Sequence, residues 1–312
     1  MTSYLVRRLG WGLAVLASIV LVTFFLTYVL PADPARVAAG LQAAPEDVAR
    51  IRHALGLDQP FLVQLATYVG NLLRGNFGHS ITQNRDVLPL VLQRFPATLQ
   101  LAVAGLAVEL AIGLPLGVLA AARRGSWFDR LSTVGTIILV SAPGFWVGYL
   151  LLEGIFKLHQ AHIDIFPIGG GYKAWDLPSL IPPALALGFG GAAYYQRVVR
   201  STMIDELHRD YVRTARAKGV AGSGVLWRHA LRNAFGPVLI QIGLDLGFFL
   251  GGVVVIESVF SWPGIGQLAV SSIDHADVPL IMGTVLFATL CIVLANLAVD
   301  VIHALVDPRI RY

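Results

Sequence analysis

The run Asp210-Tyr211-Val212-Arg213-Thr214-Ala215-Arg216-Ala217-Lys218-Gly219 sets three cations on one short stretch bounded by an acid and a glycine. Asp210 can cap a helix start, Gly219 can take the left-handed position past its end, and Lys218 suits the negative end of the dipole. The spacing predicts a helix of about two turns. Small residues Thr214, Ala215 and Ala217 alternate with Arg213, Arg216 and Lys218. Such a surface lets a partner approach closely while the cations hold its carboxylates. A basic helix lying on anionic lipid would use the same composition, and composition alone leaves the two readings level.

Two carboxyl groups fall inside long apolar runs, Glu109 and Asp245. A charge facing lipid there costs several kcal/mol, on the order of 3, so each must face protein or water. Either they line a path and meet a cation, or they are protonated or hydrogen-bonded links between helices. The two readings are level for Asp245, and the second is favoured for Glu109. Glu153, Asp300 and His303 lie near the ends of such runs, where bonding at the interface is the default. No GxxxxGK[ST], HExxH, GxSxG or CxxC pattern occurs, and the eight histidines show no metal-ligand spacing. No catalytic residue and no metal site is expected. Cys291 is the single cysteine, which excludes a disulfide framework.

The elements that must carry these residues follow from composition. In 312 residues, 56% are hydrophobic and 13% charged, and the mean hydropathy is +0.69. These values mark an all-α integral membrane protein. Runs at 9–32, 95–122, 131–156, 177–196, 234–256 and 278–299 predict six transmembrane helices. The fourth is weakened by Pro182, Pro183, Gly188, Gly190 and Gly191. Counting Lys and Arg with the N-terminus inside puts 15 of the 23 on cytoplasmic segments, so both termini are expected in the cytoplasm. Gln42 and Gly170 then fall outside, and only Lys157 and Lys173 lie on short outer loops. Scattered cations on a net charge of +4 argue for membrane topology and against nucleic acid. Pro45, Glu46, Asp47 and Gly56 predict a helix within the long external segment. Gly243, Gly247 and Gly251 recur every fourth residue, a stripe for close helix crossing in the core or against a partner subunit. The expected organisation is a first helix with external segment (1–93), a core of helices two to six (94–306) with a cytoplasmic loop (197–233), and a tail (307–312).

The 210–219 run, continued by Trp227-Arg228-His229-Ala230-Leu231-Arg232-Asn233-Ala234 and Pro237, resembles the cytoplasmic coupling segment of ABC-importer permeases of the dipeptide and oligopeptide branch. Leu57-Asp58-Gln59-Pro60, Gly75-Asn76-Phe77-Gly78-His79-Ser80, Arg94-Phe95-Pro96-Ala97-Thr98-Leu99, the stretch from Glu257 through Trp262 to Gly266, and Asp307-Pro308-Arg309 all look like segments of that branch's first permease subunit. Asn76 stands where aspartate is usual. The general importer signature Glu-Ala-Ala-x-x-x-Gly appears as Arg213-Thr214-Ala215 before Gly219, the branch's own variant.

The resemblance implies a type I importer permease fold in the cell membrane. Its partners would be a second homologous permease, two ATP-binding subunits, an extracytoplasmic substrate-binding protein and membrane lipid. It implies no cofactor on this chain, ATP and Mg being bound by the partner subunits, and no enzymatic activity of its own. Tyr211, Arg213, Thr214, Ala215, Arg216, Lys218 and Gly219 would couple the chain to an ATPase subunit, and Glu109 and Asp245 are candidates for the path. Cargo in related permeases includes dipeptides, longer peptides, glutathione, nickel and haem. A gradient-driven secondary transporter would need internal symmetry, and a membrane-embedded enzyme would need a catalytic constellation. Neither feature is present in the sequence.

Overall fold

The computed structural model describes residues 2–29, 34–39, 43–54, 56–167, 176–251 and 253–306. The expected tail 307–312, with its Asp307-Pro308-Arg309 motif, lies outside the described residues, as do Gln42, Gly170 and Lys173. Helix α1 (Thr2–Val29) is followed by α2 (Pro34–Ala39), α3 (Pro45–Ala54) and α4 (Phe61–Leu73). Helix α3 starts at the expected proline, has Glu46 and Asp47 in its first turn, and is followed by Gly56 at φ 66°. Two-residue strands β1 (His79–Ser80) and β2 (Arg85–Asp86) pair antiparallel, His79 opposite Asp86. Then come α5 (Val87–Ala122), α6 (Trp127–Ser141), α7 (Gly144–Gln160), α8 (Leu177–Leu207) and α9 (Asp210–Ala217). Helix α10 (Gly222–Gly224), a π-helical turn (Val225–Ala230) and α11 (Leu231–Ala234) lead into α12 (Gly236–Leu250). Helices α13 (Val254–Val259), α14 (Ile265–Asp274) and α15 (Val278–Val306) complete the order.

Among the described residues four helices are long and apolar enough to cross a membrane, and the number rises to six if each of two bent pairs is one span. The first bent pair takes the place of the expected third span, and the second joins α12, on the expected fifth span, to the 222–234 stretch that the sequence assigns to the cytoplasmic loop. Helices α6 and α7 meet at 97°, because Pro143 holds Ala142 in the extended conformation at φ −82°, ψ 121°. The 222–234 stretch meets α12 at 61°, where Pro237 sits in the first turn of α12. Helix α12 ends at Leu250, short of the expected Ile256, and Glu257 falls on the separate helix α13. The fourth span is one unbroken 31-residue helix in spite of Pro182 and Pro183. Asp176 caps it, accepting from the Ser179 N–H at 3.2 Å. Helix α5 begins at Val87, eight residues before the expected start, and runs for 36 residues, about 54 Å at 1.5 Å per residue. That exceeds a hydrocarbon core of about 30 Å, so one end projects into the loops that carry the sequence motifs.

Helices α5 and α8 form the central crossing. A Cβ on Gly113 would lie 2.7 Å from the Ala192 carbonyl oxygen, and one on Gly188 2.7 Å from that of Gly105. Backbone therefore packs on backbone. The expected glycine stripe of α12 packs inside this chain: Gly243 faces Val299, Gly247 faces Asn296 and Gly251 faces Ile292 of α15. Of the two readings, core packing is the one observed. Arg8 of α1 pairs with Asp300 of α15 at 3.2 Å. Arg200 of α8 makes a bidentate pair with Asp129 of α6, Nε to Oδ1 at 2.5 Å and Nη2 to Oδ2 at 2.8 Å. The Gly125 amide also donates to Asp129 at 2.9 Å, which fixes the turn after Arg123 and Arg124 to α8.

Candidate functional site

Helix α9 begins at Asp210 itself, with Arg209 in the capping position and no side-chain cap bond. The expectation that Asp210 caps the helix is thus corrected. Arg209 takes the extended backbone, φ −71° and ψ 150°, one residue earlier than expected. The Asp210 carboxylate lies in the first turn, where it suits the dipole, with Oδ1 3.5 Å from Arg213 Nη1. The far end is as expected. Gly219 is left-handed at φ 78°. Its N–H donates to the Arg216 carbonyl at 2.9 Å, and the Val220 N–H donates to that of Ala215 at 3.2 Å. This bond pair is a Schellman closure, which a β-branched residue at 219 would strain.

The two faces of α9 differ. Val212 and Ala215 are buried on Val225, with Leu207 and Val220 packed around them. Ala215, expected on the partner-facing surface, instead anchors the helix to its own chain. A small residue there lets α9 lie close to the π-helical turn. Arg213, Thr214, Arg216, Lys218 and Gly219 are exposed. Among the described residues the ion pairs of this elbow are Arg209–Glu206 and Arg213–Asp210, which leaves Arg216 and Lys218 without a carboxylate partner. The Tyr211 hydroxyl is turned back toward its own chain and donates to Glu206 Oε2 at 2.7 Å.

Glu109 and Asp245 are brought to the same three-helix junction. Asp245 of α12 accepts from the Tyr195 hydroxyl of α8 and from Gln241 Nε2, both at 2.7 Å. Glu109 of α5 is 2% exposed and lies over Gly191 of α8, where any side chain would displace its carboxyl group. Its Oε2 has no hydrogen-bond partner among the described residues. Asp245 thus bonds α12 to α8 through Tyr195, while Glu109 is packed against α8 at Gly191.

The motifs at 76–99 and 257–266 interlock with distant residues that spacing did not mark. Glu257 is fully buried. It accepts from the Thr98 hydroxyl at 2.8 Å and from the Gln267 amide at 2.9 Å, while Trp262 Nε1 donates to the Ala97 carbonyl at 2.8 Å. The Pro96-Ala97-Thr98 and Glu257-to-Gly266 motifs are therefore two halves of one clamp. Asn76 accepts from the Gly78 amide at 2.9 Å; an amide oxygen does this as a carboxylate would, so the departure at 76 leaves the turn intact. Asp277 Oδ2 accepts from the Ser80 and Thr82 hydroxyls at 2.6 Å each and from the Thr82 amide at 2.9 Å. A local signal existed for Asp277, an acid one residue before α15. None existed for its partners.

Burial works to raise the Asp277 carboxyl, but the Ser80 and Thr82 hydroxyls and the Thr82 and Leu280 amides outweigh it and hold the carboxyl below its ordinary value. A lowered folded value means that the tie is fully present above the unfolded value and is lost as pH falls through the folded one. Amide exchange at Thr82, corrected for intrinsic rates, is expected to be flat from about pH 7 to 5 and to rise below about pH 4. Asp277→Asn should raise it at about pH 5 to 7 and converge with the wild type at the acid end. Exchange that stays slow at about pH 2 in the wild type would contradict the tie.

A family model described as "Binding-protein-dependent transport system inner membrane component" matches residues 113–312, and its N-terminal companion matches residues 1–102. The chain is 39% identical to a probable D,D-dipeptide transport system permease protein, DdpB, of Escherichia coli strain K12, over 98% of this chain and 97% of that protein. It is equally 39% identical to the glutathione transport system permease protein GsiC of Salmonella paratyphi A, over the full length of both. Among solved structures, inward-facing forms of the MetNI methionine ABC transporter share the fold. One aligns at a TM-score of 0.55 and 20% identity, covering 71% of this chain and 98% of that one. Another gives 0.52 at 20% identity, covering 70% and 96%.

Proposed function

Because this chain belongs to the binding-protein-dependent transport system inner membrane components, we propose that it forms half of a translocation path for short peptides, working by alternating access. It is a multi-pass inner-membrane permease of an ABC importer and not itself an ATPase, and it works with ATPase and binding-protein partners. Peptide cargo is supported by the relatives at 39% identity, whose named cargos, a D,D-dipeptide and glutathione, are both short peptides. The second half of the path is a homologous permease, and each permease engages one of two ATPase subunits. Residues 1–93 form the first transmembrane helix and an external segment, 94–306 the moving core with its cytoplasmic loop 197–233, and 307–312 a cytoplasmic tail. Both termini lie inside, a reading supported by the cation count and by the Arg8–Asp300 pair joining the start of α1 to the far end of α15. Glu109 and Asp245 stand beside the path as the polar link that registers α5, α8 and α12.

The observation that carries the reading is α9: a short helix anchored by Val212 and Ala215, presenting Arg216 and Lys218 without carboxylates of their own. Tyr211, Arg213, Thr214, Arg216, Lys218 and Gly219 form the coupling elbow, with Ala215 as its inner anchor. Arg216→Glu with Lys218→Glu should lower co-purified ATPase roughly tenfold, since repulsion replaces attraction across a tight interface. Arg213→Glu should cost less, because Arg213 already faces Asp210. Reversal of Arg123 and Arg124 is the basic control. Undiminished attachment in the double reversal, with loss only in the control, would assign ATPase docking to the 123–124 turn instead. Stimulation of ATP hydrolysis by dialanine or glutathione in the reconstituted complex tests the cargo class.

A further inference from the structure

We propose that the Tyr211 hydroxyl is a positioning group that joins α9 to the end of α8 at the coupling elbow, so that motion of α9 is passed to α8 as one body. The inference rests on α9 being the coupling helix. Tyr211 opens the first turn of α9, and its hydroxyl donates to Glu206 Oε2 in the last turn of α8 at 2.7 Å. One oxygen thus ties the outgoing helix to the coupling helix. Glu206 Oε1 faces Arg209 Nε at 3.9 Å, which keeps the carboxylate over the elbow. His208 Nδ1 lies 2.6 Å from the Ile204 carbonyl, closing the end of α8 just below it.

The apolar contacts at this elbow cannot hold the angle alone. Val212 and Ala215 pack on Leu207, Val220 and Val225, but a patch of aliphatic side chains resists separation better than it resists sliding or rocking. A directed hydrogen bond accepted by a carboxylate fixes the missing degree of freedom. Above the elbow α8 is already rigidly held, by Asp129 on Arg200 and by the close crossing with α5. A displacement delivered to α9 therefore reaches the membrane helices only as far as the α8–α9 angle is stiff. The junction between α8 and α9 lies in that chain, and the Tyr211–Glu206 bond spans it.

The test uses the complete importer in liposomes, with binding protein present and dialanine and glutathione as probes. The readout is cargo taken up per ATP hydrolysed, beside ATPase co-purified. Tyr211→Phe keeps the ring and removes the hydroxyl. It should hold attachment within about twofold while lowering uptake per ATP roughly three- to tenfold, the scale of one charge-assisted hydrogen bond. Glu206→Leu, which also loses the Arg209 pair, should cost at least as much, and the Tyr211→Phe, Glu206→Leu double variant should be no worse than Glu206→Leu alone, because the hydroxyl–carboxylate contact is already absent there. Glu206→Gln, which still offers an acceptor oxygen, should recover most of the ratio. Full additivity of the two changes, or an unchanged ratio in Tyr211→Phe, overturns the proposal and leaves α9 as the docking helix. Loss of attachment in Tyr211→Phe also overturns it, making Tyr211 a direct contact. Retained attachment in the Arg216→Glu, Lys218→Glu variant removes the docking premise, and the proposal with it.

Discussion

Glu257→Leu is expected to lower the melting temperature of the detergent-solubilised chain by roughly 10 °C and to cut the yield of monodisperse protein severely. Glu257 is fully buried and receives the Thr98 hydroxyl and the Gln267 amide. Thr98 in turn accepts from the Ile265 amide at 2.8 Å, so one carboxylate organises the start of α14 against α5. Leucine fills similar volume but leaves these donors buried without acceptors, at about 1–3 kcal/mol each. The sum is on the order of 4 kcal/mol, large against the 5–15 kcal/mol that holds a typical fold. Glutamine should be much milder. Its carbonyl oxygen can take the Gln267 amide while its NH2 donates to Thr98 Oγ1, whose hydroxyl can turn away. Ser258→Ala, one residue on and exposed, serves as the control. If the leucine variant melts with the wild type, the clamp between the two motifs carries no stability and its role is elsewhere.

That clamp also marks where sequence reasoning stops. Helix α9 and its glycine closure were legible, the cap position aside, because an acid in the first turn, a cation at the dipole's negative end and a left-handed glycine are signals within ten consecutive residues. So was α3, for the same reason. The 98-to-257 and 80-to-277 contacts join residues 159 and 197 positions apart, and no local period encodes them. The motifs holding these residues resembled known segments, yet resemblance gave no hint that they grip one another. Ala215 shows a subtler limit. A small residue permits close approach on either face of a helix, and only the packing of Val212 and Val225 decides that the approach is inward. The break at Pro143 was readable in principle from the residue preceding a proline. It was hidden by an apolar run long enough to cross a membrane without it. The glycines gave the opposite lesson. The evenly spaced trio on α12 drew notice, while the tighter crossing uses Gly105, Gly113 and Gly117 on α5, whose spacings of eight and four conceal the stripe.

Gly113→Leu is accordingly expected to be the more damaging of the glycine changes, with a loss of about 3 kcal/mol or more. A Cβ there would stand 2.6 Å from Tyr195 Cβ and 2.7 Å from the Ala192 carbonyl oxygen. Neither can swing aside, since one is bonded to the backbone and the other belongs to it. At Gly243 the three nearest obstacles all belong to the Val299 side chain, Cγ2 at 2.1 Å, Cγ1 at 2.7 Å and Cβ at 2.9 Å, with no backbone atom among them, so a shift of α15 relieves them and Gly243→Leu should cost less. Gly135 has nothing within 4 Å of its missing Cβ, and Gly135→Leu should melt with the wild type. The damage at 113 should also spread in a defined direction. Separating α5 from α8 moves Tyr195, and Tyr195 holds Asp245 at 2.7 Å, so the α8–α12 link should loosen together with the α5–α8 crossing. Amide exchange in α12 near Asp245 would then rise in Gly113→Leu at temperatures where the fold persists, while α15 near Asp300 stays protected. Equal melting of the Gly113 and Gly135 variants would mean that the two helices do not pack backbone to backbone in the membrane.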